Sequence, residues 1–309
     1  MIYILIPLYN DWDALALLLR RFDETVEPSL RQRMRFAVVN DGSSVEPAPG
    51  QFSAWPVEMI HLNRNVGHQK AIALGLAFLT KEREFEAVIV MDSDGEDRPE
   101  DTTTLYAASQ RQPGKIVFAQ RTKRHESLTF RAGYVLYKAI FGLLTGKTIT
   151  FGNFSIVPYR LARKLVYVSE IWNHFPGGIL RSRLPYTSVG IERGTRLAGQ
   201  SKMNFVSLIL HGMSAISVHL DTTAVRLLLA SLGLICFSLT GIFVVSFIRL
   251  FISEWAFPNW ATTLVTAFFI IIMQAFLISL LMLFTVLNYR TQKHFIPALD
   301  YQDFIEHVS

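Results

Sequence analysis

Four acidic side chains crowd positions 92–97 of the stretch "VIVMDSDGEDRPED", directly behind an apolar run. That much negative charge at the end of a strand is costly unless something positive neutralises it. Asp92 and Asp94 stand two apart, and residues so spaced at a strand end can turn into the same mouth as the chain leaves a sheet. Hard oxygen ligands on a short loop suit Mg²⁺ or Mn²⁺, which keeps water and takes its remaining ligands from substrate phosphates. An EF-hand is excluded by spacing. It needs Gly at its sixth position and Glu at its twelfth, and counting from Asp92 these are Asp97 and Thr103. Glu100 and Asp101 behind Pro99 read instead as the solvated acidic first turn of a helix.

A second acid, Asp41 in "VVNDGSS", closes another apolar run. An acid there can meet a nucleoside hydroxyl or a base edge, although "NDGSS" is also a plain turn sequence. No G-x-G-x-x-G follows the first apolar run, and no G-x-x-x-x-G-K-[ST] occurs. A nucleotide bound here is held without a glycine-rich cradle, which fits a metal-dependent ligand.

The elements that must position these residues follow from periodicity. "YILIPLY", "RFAVVND", "VEMIHLN", "AVIVMD" and "KIVFAQ" read as strands, with helical patterns between most of them. The rhythm predicts an α/β fold with a doubly wound, mainly parallel sheet. Ligands of such sheets bind outside the carboxyl ends of the strands. Asn10, Asp41, Asn63, Asn65, Asp92, Asp94 and Arg121 all fall at those ends.

The 309-residue chain is 50% hydrophobic, but unevenly so. Residues 1–200 read as one domain. Residues 201–226 place Val206, Ile209, Met213, Ile216 and Leu220 on one helical face, as expected of amphipathic helices lying in a membrane interface. Leu227–Ile248 and Trp255–Tyr289 carry no charge and each exceeds the roughly 20 residues needed to cross a bilayer, so 227–289 is expected to form a two-helix transmembrane hairpin. Residues 290–309 are then a tail. Lys202 and Arg226 before the hairpin, and Arg290 and Lys293 after it, outweigh Arg249 between the spans, which predicts both termini on the cytoplasmic side. The start "MIYILIPLYNDWD" lacks a basic n-region, and the front of the chain is expected to stay in the cytosol of a cell-membrane protein. The single cysteine, Cys236, offers neither a disulfide framework nor a thiolate metal site. The net charge of +5 suits an anionic lipid surface or a phosphorylated ligand. The basic residues are scattered and form no nucleic-acid motif, so no nucleic-acid partner is expected.

Taken in order, "IPLYN", "VNDGSS", "NRNVGHQKAI", "MDSDGEDRPE" and "RLAGQSKM", followed by two apolar spans, resemble the family 2 glycosyltransferases of GT-A fold that load sugars onto polyprenyl phosphates. The resemblance covers nearly the whole chain. It implies an inverting enzyme that moves one sugar from a nucleotide-sugar donor to undecaprenyl or dolichyl phosphate with Mg²⁺ or Mn²⁺. It further implies that Pro7, Tyr9 and Asp41 hold the nucleoside, and that Asp92 and Asp94 form a D-x-D pair addressing ribose, metal and diphosphate. Glu96 stands where Gln is usual near the metal. Arg121 and Arg131 match two arginines that grip the acceptor phosphate, and Arg196, Ser201 and Lys202 match an R-x-x-G-x-S-K signature at the membrane interface. Homo-oligomers are common among such enzymes, and the sequence fixes no number.

Two departures bear on this. Thr150 stands before "FGNFS" where related enzymes often carry an acid, so no general base carries over; a lipid phosphate is already ionised and needs none, unlike a sugar hydroxyl. His174 in "SEIWNHFPGGIL" is open to two readings, an acceptor contact or a packed histidine. The Q-x-x-R-W sequence of processive synthases is absent. A transferase acting on a neutral lipid or glycan hydroxyl, and a non-catalytic nucleotide-binding membrane partner, remain the alternative readings.

Overall fold

The computed structural model describes residues 1–121, 138–147, 151–192, 194–198, 205–251, 259–292 and 294–309. They fall in two compact units. The first holds an eight-stranded sheet, its helices as far as Val218, and residues 294–309.

Every residue of β1 (Ile2–Leu8) is buried, which is why that stretch is apolar without alternation. Tyr3 and Leu5 face one layer, where α3 (His68–Glu82) supplies Ile72, Leu76 and Leu79. Ile2, Ile4 and Ile6 face the other, where α1 (Trp12–Thr25) supplies Leu15, Leu18 and Phe22, and α4 (Pro99–Arg111) supplies Leu105. Each such side chain contributes roughly 1.5–3 kcal/mol by leaving water. β2 (Met34–Asn40) and β4 (Ala87–Val90) flank β1 in parallel, and β3 (Val57–Leu62) continues in parallel beyond β2.

The sheet order is β7-β5-β6-β4-β1-β2-β3-β8. The short strand β6 (Ser155–Pro158) runs antiparallel to both β4 and β5 (Ile116–Arg121). Two antiparallel steps restore direction, so β5 ends at the same edge of the sheet as β1, β2, β3 and β4. β7 (Tyr186–Ile191) pairs in parallel with β5, and β8 (Ile305–Val308) pairs antiparallel with β3. The residues read as a tail thus return to this unit and cover an edge that would otherwise offer unpaired backbone groups. Helix α8 (Phe205–Ser217) lies within the stretch expected to be amphipathic, with Leu210 and Met213 exposed and Ala215 buried.

The second unit holds residues 138–147 with α9 (Leu220–Phe251) and α10 (Trp260–Thr291), which pack on each other. Each helix has 32 residues and is long and apolar enough to cross a membrane by length and composition. Leu229, Phe237, Phe243, Leu277 and Phe284 point outward, the pattern of a hairpin whose solvent is lipid. Arg226 donates to the carbonyl oxygens of Gly142 and Leu143 at 3.2 and 2.6 Å, closing the end of the short helix over 138–145.

Candidate active site at the carboxyl edge of the sheet

The loop after β4 folds on itself. The backbone N–H of Asp92 donates to Asp97 Oδ2 at 3.1 Å, and that of Glu96 donates to Asp94 Oδ1 at 2.9 Å. Gly95 turns the chain at φ +84, and a Cβ there would stand 2.4 Å from Leu197 Cγ, so glycine is required on both counts. Residues 194–198 lie over this loop: the Gly194 and Leu197 N–H groups donate to the carbonyls of Glu96 and Asp94, each at 2.9 Å.

That overlay delivers Arg196. Its Nη1 donates to Asp94 Oδ2 at 3.0 Å, its Nη2 to Asp11 Oδ2 at 3.0 Å, and its Nε to the carbonyl of Ala198 at 3.0 Å. Arg121, at the end of β5, sits 3.5 Å from Glu96 Oε2 and 3.3 Å from Asp97 Oδ1. His68, the first residue of α3, places Nε2 3.2 Å from Asp92 Oδ1. Four carboxylates of one loop therefore meet two guanidinium groups and an imidazole brought from three other elements.

Burial and crowding raise the pKa values of Asp94 and Asp97. Asp97, 3% exposed, is pushed up to about 7 by burial and by the charge of Asp92, with Arg121 opposing. Asp94 is raised by burial first and by Asp92 second, against the Glu96 N–H and Arg196. A divalent cation would relieve that repulsion. Among the described residues, no three His, Cys, Asp or Glu side chains form a ready-made cage. Two carboxylates with phosphate oxygens and water completing the shell is the set Mg²⁺ and Mn²⁺ use, and Asp92 and Asp94 fit it.

At the ends of β1 and β2, the parallel register sets Pro7 beside Val39 and Leu8 beside Asn40, and the Asp41 N–H donates to the Leu8 carbonyl at 2.8 Å. Tyr9 and Asp41 consequently leave the sheet next to each other. Tyr9 is 41% exposed, whereas Pro7 is buried within the strand. Asp41, 3% exposed, accepts the N–H groups of Val66 and Gly67 at 2.7 and 2.9 Å. Burial raises its pKa against those two bonds. Its carboxylate thereby ties the loop after β2 to the loop after β3.

Several sequence expectations meet this geometry in specific ways. Asp92, Asp94, Glu96, Arg121 and Arg196 converge. Arg121 and Arg196, expected at an acceptor phosphate, rest on acids of the 92–97 loop. Asp101 is buried rather than solvated, accepting from Arg98 Nε at 2.8 Å and Nη2 at 3.0 Å, because α4 packs its first turn against the sheet. His174 is 5% exposed and caps the helix Phe175–Ser182, its Nδ1 accepting the Gly177 N–H at 2.9 Å, which favours the packed reading. Arg131, Thr150, Ser201 and Lys202 lie outside the described residues. Asp97, Asp11 and His68 escaped sequence reasoning. The signal for His68 was its place at the start of a helix directly after the strand end at Asn63.

The family model described as "Glycosyl transferase family 2" matches residues 3–166. Over 276 residues the chain is 27% identical to the uncharacterized glycosyltransferase YkcC of Bacillus subtilis (strain 168), covering 85% of this chain and 81% of that protein. It is 28% identical over 234 residues to an undecaprenyl-phosphate 4-deoxy-4-formamido-L-arabinose transferase of Klebsiella pneumoniae, covering 73% of this chain and 69% of that one. A glucosyl-3-phosphoglycerate synthase from Mycobacterium tuberculosis aligns at TM-score 0.49 and 11% identity, over 72% of this chain and 78% of that one, which says nothing of substrate. With the family match spanning more than half of its length, and the acidic and basic side chains gathered at the carboxyl edge of the sheet, the chain belongs to glycosyl transferase family 2.

Proposed function

We propose that the protein is a membrane-anchored, inverting glycosyltransferase that moves one sugar from a nucleotide-sugar donor to a polyprenyl phosphate on the cytoplasmic face of the cell membrane. The observation that carries this reading is the convergence of Asp92 and Asp94 with Arg121 and Arg196 at one sheet edge, in a chain whose next elements are two helices long enough to span a bilayer. The name of the Klebsiella relative supports the acceptor class.

In this reading Tyr9 and Asp41 hold the nucleoside, with Pro7 setting the course of the strand beneath them. Asp92 and Asp94, with Glu96 beside them, hold Mg²⁺ or Mn²⁺, which when bound neutralises charge on the diphosphate. Arg121 and Arg196 exchange acids for phosphate oxygens when substrates enter, and arginine's fork makes that exchange favourable. Arg131, Ser201 and Lys202 complete the acceptor side. An oxygen of the lipid phosphate attacks the anomeric carbon, the bond to the diphosphate breaks, and the nucleoside diphosphate departs with the electron pair. The attacking oxygen is already ionised, so no base is needed, in keeping with Thr150. Electrostatic stabilisation of the leaving group is the main contribution and positioning the second.

Membranes containing the protein, incubated with a panel of nucleotide sugars, a polyprenyl phosphate and Mn²⁺, are expected to yield one glycosylated lipid phosphate by mass spectrometry. A product on a neutral lipid or a glycan, with none on the lipid phosphate, would overturn the acceptor assignment.

A further inference from the structure

The imidazole of His61, on β3, sits between two hydrogen-bond partners. Its Nδ1 is 3.2 Å from Asn40 Nδ2 and its Nε2 is 3.2 Å from Ser309 Oγ. Asn40, 4% exposed, ends β2 immediately before Asp41. The Asn40 amide is oriented by its neighbour, because Oδ1 accepts the Ser43 N–H at 3.0 Å. Nδ2 must then face His61 and donate, so Nδ1 of His61 is the acceptor and Nε2 carries the proton toward Ser309. One neutral tautomer satisfies the whole arrangement.

The bonds continue away from His61. Ser43 Oγ accepts the Asn10 N–H at 2.9 Å, and Asn10 Oδ1 accepts the N–H groups of Ser44 and Val45 at 2.9 and 3.1 Å. Asn10 holds φ +52, a left-handed conformation that these bonds stabilise. The relay therefore runs from β8 through His61 and Asn40 to the two loops that carry Tyr9 and Asp41. On the other side of the ring, His307 of β8 stacks at 4.1 Å and 10°, directly opposite in the strand register.

We propose that His61, held from behind by His307 and Ser309 of β8, is a positioning residue for the donor nucleoside, keeping Asn40 and hence the 41–45 and Asn10 loops in binding shape. This rests on the assignment of Tyr9 and Asp41 to the nucleoside. It assigns a role to the segment that follows α10: its return to the sheet completes the nucleoside side of the site.

The relay holds only while Nδ1 is unprotonated, since a proton there would face the Asn40 amide N–H. The charged and titratable groups around the ring are His307 and Glu306 on β8, Glu46 on the loop after β2 and Arg64 on the loop after β3. Burial first, and His307 second, hold the pKa of His61 below the usual histidine range, and the two glutamates oppose them. The ring stands in the wall of a polar cavity of about 380 Å³ that Asn40, Ser43 and Glu306 also line, so solvent protons reach it.

The test uses the full chain in detergent with Mg²⁺ and calorimetric titration of UDP, GDP, CDP, ADP and dTDP, the tightest ligand being carried forward. His61→Leu is expected to weaken nucleotide affinity about tenfold, the scale of one lost buried hydrogen bond, while the apparent KM for polyprenyl phosphate stays within about twofold. His61→Asn, whose Oδ1 replaces the Nδ1 acceptor, is expected to restore affinity. Wild-type affinity should fall in acid, below the usual histidine range, with a flatter profile in His61→Asn. Should the leucine variant fail to fold, that pH comparison decides alone: superimposable profiles for wild type and His61→Asn overturn the proposal. Equal nucleotide affinity of wild type and His61→Leu overturns it while leaving the proposed function intact. Binding of none of the five nucleotides by the wild type overturns both.

Discussion

Asp94 and Arg196 lie 102 residues apart in the chain, and their side chains meet at 3.0 Å between Oδ2 and Nη1. The same guanidinium reaches Asp11 at 3.0 Å, so one cation joins the loop after β1, the loop after β4 and the segment after β7. Three pieces of chain that diverge from the sheet are thereby closed into one mouth.

Replacing Asp94 by Asn removes a charge while keeping the shape. Transfer is expected to fall by about 10²-fold or more, the scale of one lost electrostatic contact at a reacting centre. The fold should persist, because Oδ1 can still accept the Glu96 N–H and Arg196 keeps Asp11. Turnover assays paired with circular dichroism check this; wild-type turnover with intact metal dependence would remove Asp94 from the site.

Arg196 bridges two acids with separate nitrogens, a geometry that the single ammonium of lysine does not reproduce. Both Arg196→Lys and Arg196→Ala are expected to lower kcat/KM about tenfold or more, with lysine recovering little. Full recovery by lysine in steady-state assays would show that charge alone matters there.

Gly42 sits at φ +62, and a Cβ would stand 2.5 Å from the backbone nitrogen of Asn65. Both the conformation and the close approach of the loops after β2 and β3 require glycine. Gly42→Ala is expected to destabilise by about 1–3 kcal/mol and to weaken nucleotide binding, because Asp41 must shift with its neighbour. Thermal melts and nucleotide titration together test this, and an unchanged midpoint would contradict it.

Glu100, in the first turn of α4, accepts from Arg21 Nη2 at 2.8 Å. Partial burial favours its neutral form, but its own backbone N–H, Arg21 and Arg98 outweigh that and hold its pKa below the usual value. The stabilisation is therefore present above the unfolded pKa of about 4.3 and is lost as pH falls through the lower folded value. Both side chains are about one-third exposed, so the effect should be below about 1 kcal/mol. Thermal midpoints of wild type and Arg21→Ala should differ at pH 6 and converge near pH 3; a gap that widens in acid would refute the sign.

The apolar runs announce β1 to β5: β1 and β4 are buried throughout, where continuous hydrophobicity leaves no choice of face, and β2, β3 and β5 keep enough β-branched and apolar residues to be read despite half-exposed polar positions. β6 has four residues within a mixed stretch, β7 is exposed at alternate positions on a sheet edge, and β8 follows an apolar hairpin as "IEHV". Their strand character comes from partners, not from composition. Asp101 shows the same limit: acid behind proline marks a helix start, but only the packing of α4 decides that it is buried on Arg98.

What the sequence by itself determined is where the polar groups and the long apolar stretches fall: an acid-rich loop closing the fourth strand, an acid closing the second, an arginine closing the fifth, and two helices long and apolar enough for a bilayer. Those follow from residue type and period, which are local. Only the tertiary structure decided who answers whom, setting Arg196 on Asp94 and Asp11, Arg121 on the buried Asp97, and His61 between Asn40 and the returning β8. Such pairings depend on which strands lie side by side, and no local pattern specifies contacts between residues 21 to 248 positions apart in the chain.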